Sequence, residues 1–363
     1  MIPTTALTNS SGLLERLELA RRFHIHTILT CHNPQNVNLS QNTNINESIV
    51  VLRRHLGEVS PATRIIALDR LPTDDSETDQ LFKDLCECET GTLADGWGDV
   101  STWPAERIQA GDWAAAVWRS PKLAQGAARF AEHGALGQLA AAGLSAHATG
   151  QQLRGAFGPS AAGHVNAFPI LKSKSADAQK TIRSTPDEHW APKGKRKQES
   201  LAMLEKAGRL LITAGQDTST GRVTSVADDQ AYVGNGWMPL TGASPRGAKA
   251  AAVFLNSTVG RLLLMRNPGK KLNFPSYSAD AASELPIPDI GDQHVQTTLA
   301  DCWEATRSEI VPQFRDGYTD IRRRWDQAVC DALGWDISKI AELGELLAKE
   351  PHVRGVAYGQ WKS

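Results

Sequence analysis

Residues 30–54, TCHNPQNVNLSQNTNINESIVVLRR, combine two kinds of chemistry. From His32 to Asn46 the chain is dense in Asn, Gln, Ser and Thr, holds Pro34 near its start and contains no aromatic residue. Asn and Gln side chains carry donors and acceptors together, and either can pair bidentately with an adenine edge. The same residue types also make Asx and Ser/Thr turns ahead of a strand, a purely structural use. Ser48–Leu52 is then short, apolar and β-branched, and it runs into Arg53 and Arg54. The pairing predicts an amide-rich loop that feeds a buried strand.

The elements that must position this loop precede it. The chain opens MIPTTALTNSSGLLERLELARRFHIHTILTC. It reads as a strand end at Ile2 and Pro3, a polar turn over 8–12, a helix Leu13–Arg22 and a strand His24–Cys31. The loop and a strand Ser48–Arg53 follow. This order looks like the C-terminal half of the catalytic domain of the adenine-specific DNA methyltransferases of restriction-modification systems. IPTTALTNSSG resembles the strand that closes that half, and NLSQNTNINESIVVLRR resembles the loop and last strand beside the target base. The resemblance covers residues 1–54 and recurs more weakly over 209–289.

The resemblance implies an α/β fold, the C-terminal half of a Rossmann-like methyltransferase sheet, followed by an α+β target recognition domain and a C-terminal helical segment. It implies methyl transfer from S-adenosylmethionine to the amino group of an adenine flipped out of duplex DNA. Asn42, Thr43, Asn44 and Asn46 would then line one wall of the base pocket. Two further motifs of the family are missing from this sequence: a Gly-rich turn for the methionine end of the cofactor, and an Asn-Pro-Pro-aromatic tetrapeptide that holds the base. Asn33-Pro34-Gln35 has neither the second Pro nor the aromatic residue, and Gly234-Asn235-Gly236-Trp237 reads as a turn. No catalytic residue is assigned, and most of the cofactor site is expected outside this chain. A second chain carrying the N-terminal methyltransferase half, or an upstream portion, would bring it. The alternatives are a stand-alone DNA-binding module and a fragment without function.

Charge is distributed unevenly although the whole chain has a net charge of −1. Residues 170–275 hold 17 Lys and Arg against 8 Asp and Glu, whereas 71–110 hold 2 against 10 and 276–350 hold 7 against 15. A basic middle between acidic flanks suits a domain that contacts the phosphates of double-stranded DNA. Domain boundaries follow: 1–70 the end of the catalytic domain, 71–110 an acidic linker, 111–290 the target recognition domain, 291–363 a helical tail. Arg222, Arg266, Lys270, Lys271 and Asn273 are the candidate DNA contacts, three of the cations crowding the turn after a helix.

Within the recognition domain, GDW at 111–113 and GQLAAAGLSAHATGQQLRGAF at 137–157 resemble its opening. Leu210–Thr213, Arg222–Val226 and Ala231–Val233 read as short strands, and Lys249–Asn256 and Val259–Arg266 as helices broken at Asn256-Ser257-Thr258. The phrase from LNSTVGR to LPIP at 255–288 resembles the closing part of recognition domains in type I specificity subunits. Arg64–Leu68 reads as a strand extending the first sheet beside Ser48–Arg53 in a hairpin. In the tail, Phe314, Tyr318, Ile321, Trp325 and Val329 form one helix stripe, with Arg322, Arg323 and Arg324 beside it, either on a solvated face or touching phosphate. Asp336 is placed to cap a last helix, Ile337–Lys349.

Five scattered cysteines, Cys31, Cys86, Cys88, Cys302 and Cys330, point to a reducing, cytoplasmic setting and no disulfide framework. Cys86 and Cys88 are too close for a zinc knuckle, so no metal is expected. No apolar run reaches the roughly 18 residues of a membrane span, and no secretory leader is visible.

Overall fold

The computed structural model describes residues 1–8, 12–33, 39, 47–55, 61–172, 179–194, 197–215, 217–266 and 277–355. The chain divides into two units. The first comprises residues 1–126, 266–275 and 346–363, and the second comprises 127–265 and 276–345. Both mix helices and sheets.

The first unit is built on six strands: β1 (Ile2–Pro3), β2 (Phe23–Cys31), β3 (Glu47–Arg54), β4 (Thr63–Leu68), β5 (Gly91–Thr92) and β6 (Gly98–Trp103). Their order across the sheet is β1-β3-β2-β4-β6-β5. β3 is antiparallel to both its neighbours, so β1 and β2 run the same way with β3 between them. Helix α1 (Leu13–Arg22) makes the crossover between those two strands. β2 lies in the interior of the sheet, with Ile25, Ile28 and Cys31 buried. Its alternation is broken near His26, where the register against β3 shifts by a bulge between Ile25 and Thr27.

Two expectations for this unit are corrected. β4 does not form a hairpin on β3; it lies on the far side of β2 and pairs with it in parallel, from Thr27↔Arg64 to Cys31↔Leu68. Its run of Ile65, Ile66, Ala67 and Leu68 is buried throughout, which is the habit of a parallel strand covered on both faces. The 71–110 stretch is not a linker. It supplies α2 (Asp75–Glu87), β5 and β6, and Leu81, Leu93, Trp97 and Val100 pack on Ile66 and Leu68. Its acidic residues sit mostly on the solvent side, so composition masked a buried stripe. Asp74 caps α2 through the Glu77 N–H at 2.8 Å, and the Glu77 carboxylate accepts from the Thr73 N–H at 2.8 Å. Gly98, at φ 147°, lies so close to the Ala67 carbonyl that an added Cβ would stand 2.0 Å from it.

Short helices α3 (Ala105–Gln109) and α4 (Pro121–Ala131) follow, the latter running on into the second unit. There, β7 (Leu136–Gln138), β8 (Ser145–Ala146), α5 (Gly150–Ala156), β9 (Phe157–Pro159), β10 (Phe168–Leu171), β11 (Glu188–Pro192) and α6 (Lys197–Leu204) precede the central strands. Those are β12 (Gly208–Thr213), β13 (Ser225–Gly234) and β14 (Trp237–Thr241). The seven-stranded order is β8-β14-β12-β13-β10-β11-β9, with β10 parallel to β13 and the other pairs antiparallel. The strands expected at 222–226 and 231–233 are one strand, β13. Asn235 and Gly236 link β13 to β14 with Gly236 at φ 95°, a turn as read from the sequence.

Helices α7 (Pro245–Asn256) and α8 (Thr258–Met265) are bent 74° at Ser257, where the sequence marks the break. The bend is held by buried polar side chains. Asn256 accepts from the Thr224 N–H at 2.8 Å and donates to the Ser225 carbonyl at 2.8 Å. Gly260 passes so close to the Phe254 carbonyl that a Cβ would meet it at 2.1 Å. Next come α9 (Ala279–Ser283), β15 (Pro286–Pro288), which pairs with β7, and α10 (Gln293–Thr306). α11 (Asp320–Leu333) and α12 (Ile337–Lys349) complete the unit, with Trp303, Trp325 and Val329 in the core that α7 fills. The tail is therefore part of this unit up to Glu345 and not a separate segment. Phe314 and Tyr318 precede α11 instead of extending its stripe, because Gly317, at φ 96°, turns the chain between them. Arg322 is not on a solvated face: it is 2% exposed and donates to the Pro312 carbonyl at 2.7 Å. Asp336 accepts from the Ser338 N–H at 2.9 Å, at the start of α12. Among the described residues no single helix is long and apolar enough to cross a membrane.

Candidate functional site at the carboxyl edge of the first sheet

β1, β2 and β4 run the same way, so their carboxyl ends, Pro3, Cys31 and Leu68, share one edge of the sheet. In open α/β sheets this is the edge outside which ligands bind. The amide-rich segment leaves β2 at this edge and returns into β3 here, its two ends fixed by the pairing of Thr30 with Ser48. Ser48 and Thr4, which follows β1, exchange a buried hydroxyl–hydroxyl hydrogen bond at 2.8 Å. Asn42, Thr43, Asn44 and Asn46 themselves lie outside the described residues.

The root of the segment is a buried polar cluster. Thr30 donates its one hydroxyl proton to the Ala116 carbonyl at 2.8 Å. Its oxygen, 3.0 Å from His32 Nε2, can then only accept from that ring. His32 is therefore the Nε2–H tautomer, and Nδ1 carries a bare lone pair. Burial, with His352 and Arg119 nearby, pushes the imidazole down to about 3, so it is neutral at physiological pH. Nδ1 of His32 and Oδ1 of Asp99 are buried acceptors that meet no donor among the described residues. Cys31, next to His32 in the chain, is kept as the thiol: burial pushes it up to about 11.

Arg119 ties the edge together. Its Nε and Nη2 hold both oxygens of Asp69 at 2.7 and 3.1 Å, and Nη1 donates to Asp99. Asp69 follows β4 directly, and its N–H donates to the Trp97 carbonyl at 2.8 Å. Burial raises the Asp69 carboxyl although Arg119 pulls it down. The backbone N–H groups of Arg119 and Ser120 donate to Glu350 Oε2 and Oε1 at 3.0 and 2.8 Å. Glu350 opens the short helix α13 (Pro351–Arg354), and His352 Nδ1 stands 3.6 Å from Glu350 Oε2. Burial pushes the Glu350 carboxyl up to about 7, against the downward pull of those two N–H groups and of the Arg119 charge. With its guanidinium spent on two carboxylates, Arg119 is a strut and not an anion trap. What the cluster offers a ligand is acceptors, the complement of an amino group.

The candidate DNA contacts fall elsewhere. Arg266 follows α8 and pairs with Asp112 at 2.9 Å; Arg107 stands 3.6 Å from the same oxygen. Arg222 precedes β13 and donates to the Val311 carbonyl at 2.6 Å. Lys270, Lys271 and Asn273 lie outside the described residues. Sequence reading did not single out His32, Asp69, Asp99, Arg119, Glu350 or His352. The one signal available was position: His32 and Asp69 each come just after a strand of the parallel pair.

No family profile matches the sequence, and no curated protein matches it. Among solved structures, one described as "Characterization and crystal structure of the type IIG restriction endonuclease BpuSI" is similar over 100% of this chain and 47% of that one, at 11% identity and a TM-score of 0.46. The chain thus spans about half the length of that protein.

Proposed function

We propose that this chain forms part of a site-specific adenine DNA methyltransferase, supplying one wall of the pocket for the flipped base and the surface that reads DNA sequence. The observation that carries the reading is the path β1–α1–β2–loop–β3, with β3 inserted antiparallel between β1 and β2. That path roots an Asn-rich segment between Thr30 and Ser48 at the carboxyl edge of the sheet, the edge at which His32 and Asp99 carry buried acceptors. Amide side chains there suit an adenine edge, and free acceptors suit its amino group.

S-adenosylmethionine does not fit the residues present. The sequence holds no Asn-Pro-Pro-aromatic tetrapeptide, and its two Gly-x-Gly runs lead into β6 and β14, where Trp97 and Trp237 are buried, and not into a helix. No step is therefore assigned to the cofactor here, and a partner chain or an upstream portion would bring it. This chain's own part is to hold the base and position the duplex.

The test is duplex binding by the full chain. A duplex with an unpaired adenine should bind more tightly than a matched one, because the flipping cost is already met. Changing Asn42, Thr43, Asn44 and Asn46 to Ala together should abolish that preference. An equal preference in both proteins would remove the loop from the pocket.

A further inference from the structure

Two arginines of the second unit are buried with most of their donors unanswered. Arg261, on α8, is 5% exposed, and Arg322, on α11, is 2% exposed. Both guanidiniums lie over the ring of Phe314, their carbons 3.8 and 4.7 Å from its centroid. Arg322 spends Nη2 on the Pro312 and Arg222 carbonyls at 2.7 and 3.3 Å. Its Nε and Nη1 meet no acceptor among the described residues, and neither do Nε and Nη2 of Arg261. The hydroxyl of Tyr277, buried within electrostatic range of Arg261, has no partner there either.

The charges around these donors do not balance. The buried carboxylate in range of both cations is Asp326. Its oxygens accept from the Thr258 N–H and from the hydroxyls of Thr258 and Tyr318, and neither guanidinium donates to it. Near Arg322, the charges of Arg222 and of the exposed Asp316 offset each other. Two guanidiniums against one carboxylate leave one positive charge in the interior, where an uncompensated ion is strongly disfavoured. A water molecule answers a donor but leaves that charge in place.

We propose that the second unit binds one chloride ion here, held on the Nε–Nη2 side of Arg261 and by the Tyr277 hydroxyl. Arg322, on the same Phe314 ring, adds to the field. The Nε–Nη2 side of a guanidinium sets two N–H groups next to each other, a fork that suits an anion. A monovalent ion cancels the excess charge, whereas a dianion would reverse it. The burial of Arg261 and Tyr277 selects a small ion. The ion ties α8 to the Phe314 segment and α11, so its binding is part of the stability of this unit, whatever the chain does to DNA.

The test uses the full chain without DNA. It is dialysed into sodium gluconate, whose anion is too large for the site, and titrated with sodium chloride at constant ionic strength. An ion that binds the folded state alone raises the melting temperature with its concentration; one held at about 2 mM should give roughly 5 °C by about 200 mM. Excess chlorine-35 NMR linewidth, removed by competing bromide, reads occupancy directly. Arg261→Met should lose both responses. Tyr277→Phe, which keeps the ring and deletes one hydroxyl, should raise the half-saturating chloride by about tenfold. Equal melting temperatures in chloride and gluconate overturn the proposal, as does a chloride response that survives unchanged in Arg261→Met. Should Arg261→Met fail to fold, the Tyr277→Phe titration decides, and an unchanged midpoint there removes the site.

Discussion

The carboxylate of Asp326 holds the start of α8 through Thr258, accepting from its backbone N–H at 2.7 Å and from its hydroxyl at 2.6 Å. Tyr318 donates to the same carboxylate at 2.7 Å, and the group is fully buried. It is a second fastening of the α7–α8 bend, in addition to Asn256.

Asp326→Ala should therefore cost the second unit roughly 3 kcal/mol or more, because three donors lose a charged acceptor in a dry site. Asp326→Asn should cost less, keeping one acceptor oxygen. Urea unfolding followed by Trp fluorescence measures both, and equal stability of the Ala variant and the parent would refute this account of the bend.

Burial pushes Asp326 up to about 6 from its ordinary 3.8. The folded state thus holds this proton over a range where the unfolded state has lost it. Stability from this group is complete below about pH 4 and falls as pH rises through 6. Asp326→Asn, which cannot titrate, should flatten that part of the stability–pH curve. A parent curve rising with pH there, and unchanged in the variant, would show that the hydrogen bonds outweigh burial.

Glu350 gives the first unit a second window of the same sign. Its carboxyl goes from 4.5 to about 7, so its contribution is complete below about pH 4.5 and lost as pH rises through 7. Glu350→Gln should remove the pH dependence but point an amide N–H at one of two backbone donors, costing about 1–2 kcal/mol. Melting temperatures at pH 5 and pH 8 separate the two effects.

Arg119→Lys should behave like a disruptive change. An ammonium cannot reproduce two parallel donors to Asp69 and a third to Asp99. Leaving buried carboxylates poorly paired costs about 3 kcal/mol or more. Hydrogen exchange at β4 and β6 should accelerate, and unaltered exchange there would show that the strut is dispensable.

For DNA, affinity of the full chain should fall by roughly 10³ between about 50 and 200 mM salt if about six phosphates are contacted. Of the three cations grouped in the turn after α8, Arg266 is the one the structure describes. Arg266 is engaged by Asp112, so Arg266→Ala should lower stability and leave the salt slope unchanged. Lys270→Ala with Lys271→Ala should reduce the slope by about 2. A flat salt response of the parent would remove the DNA reading altogether.

Local pattern carried much of the secondary structure. The spacing in α1, the β-branched run of β3 and the Asn256-Ser257-Thr258 break all state their conformation within a few residues. Partnership was not legible. Nothing in RIIAL says whether it pairs with β3 or with β2, since a run buried on both faces has no alternation to orient it. The basic excess of 170–275 was read as a field for phosphate, yet part of it is spent inside the second unit. Lys249 is held by Asp229 and Glu304 at 2.8 and 2.7 Å, Arg183 by Asp228 and Arg246 by Asp301. Two of those four carboxylates come from the acidic flank, which counts along the chain treat as separate. The edge cluster was invisible for a related reason: Asp69, Arg119 and Glu350 are up to 281 positions apart and carry no periodicity.

The first unit is made of pieces from the beginning, the late middle and the end of the chain. Glu350 is the acceptor for the N–H groups of Arg119 and Ser120, and it comes about 230 residues after them. A ribosome making this protein delivers the whole of the second unit before that acceptor exists. The carboxyl edge of the first sheet therefore closes last, and for most of synthesis Arg119 and Ser120 must leave those N–H groups to water. A stop codon at Leu346 would spare every residue of the second unit and still leave the first without its final clasp.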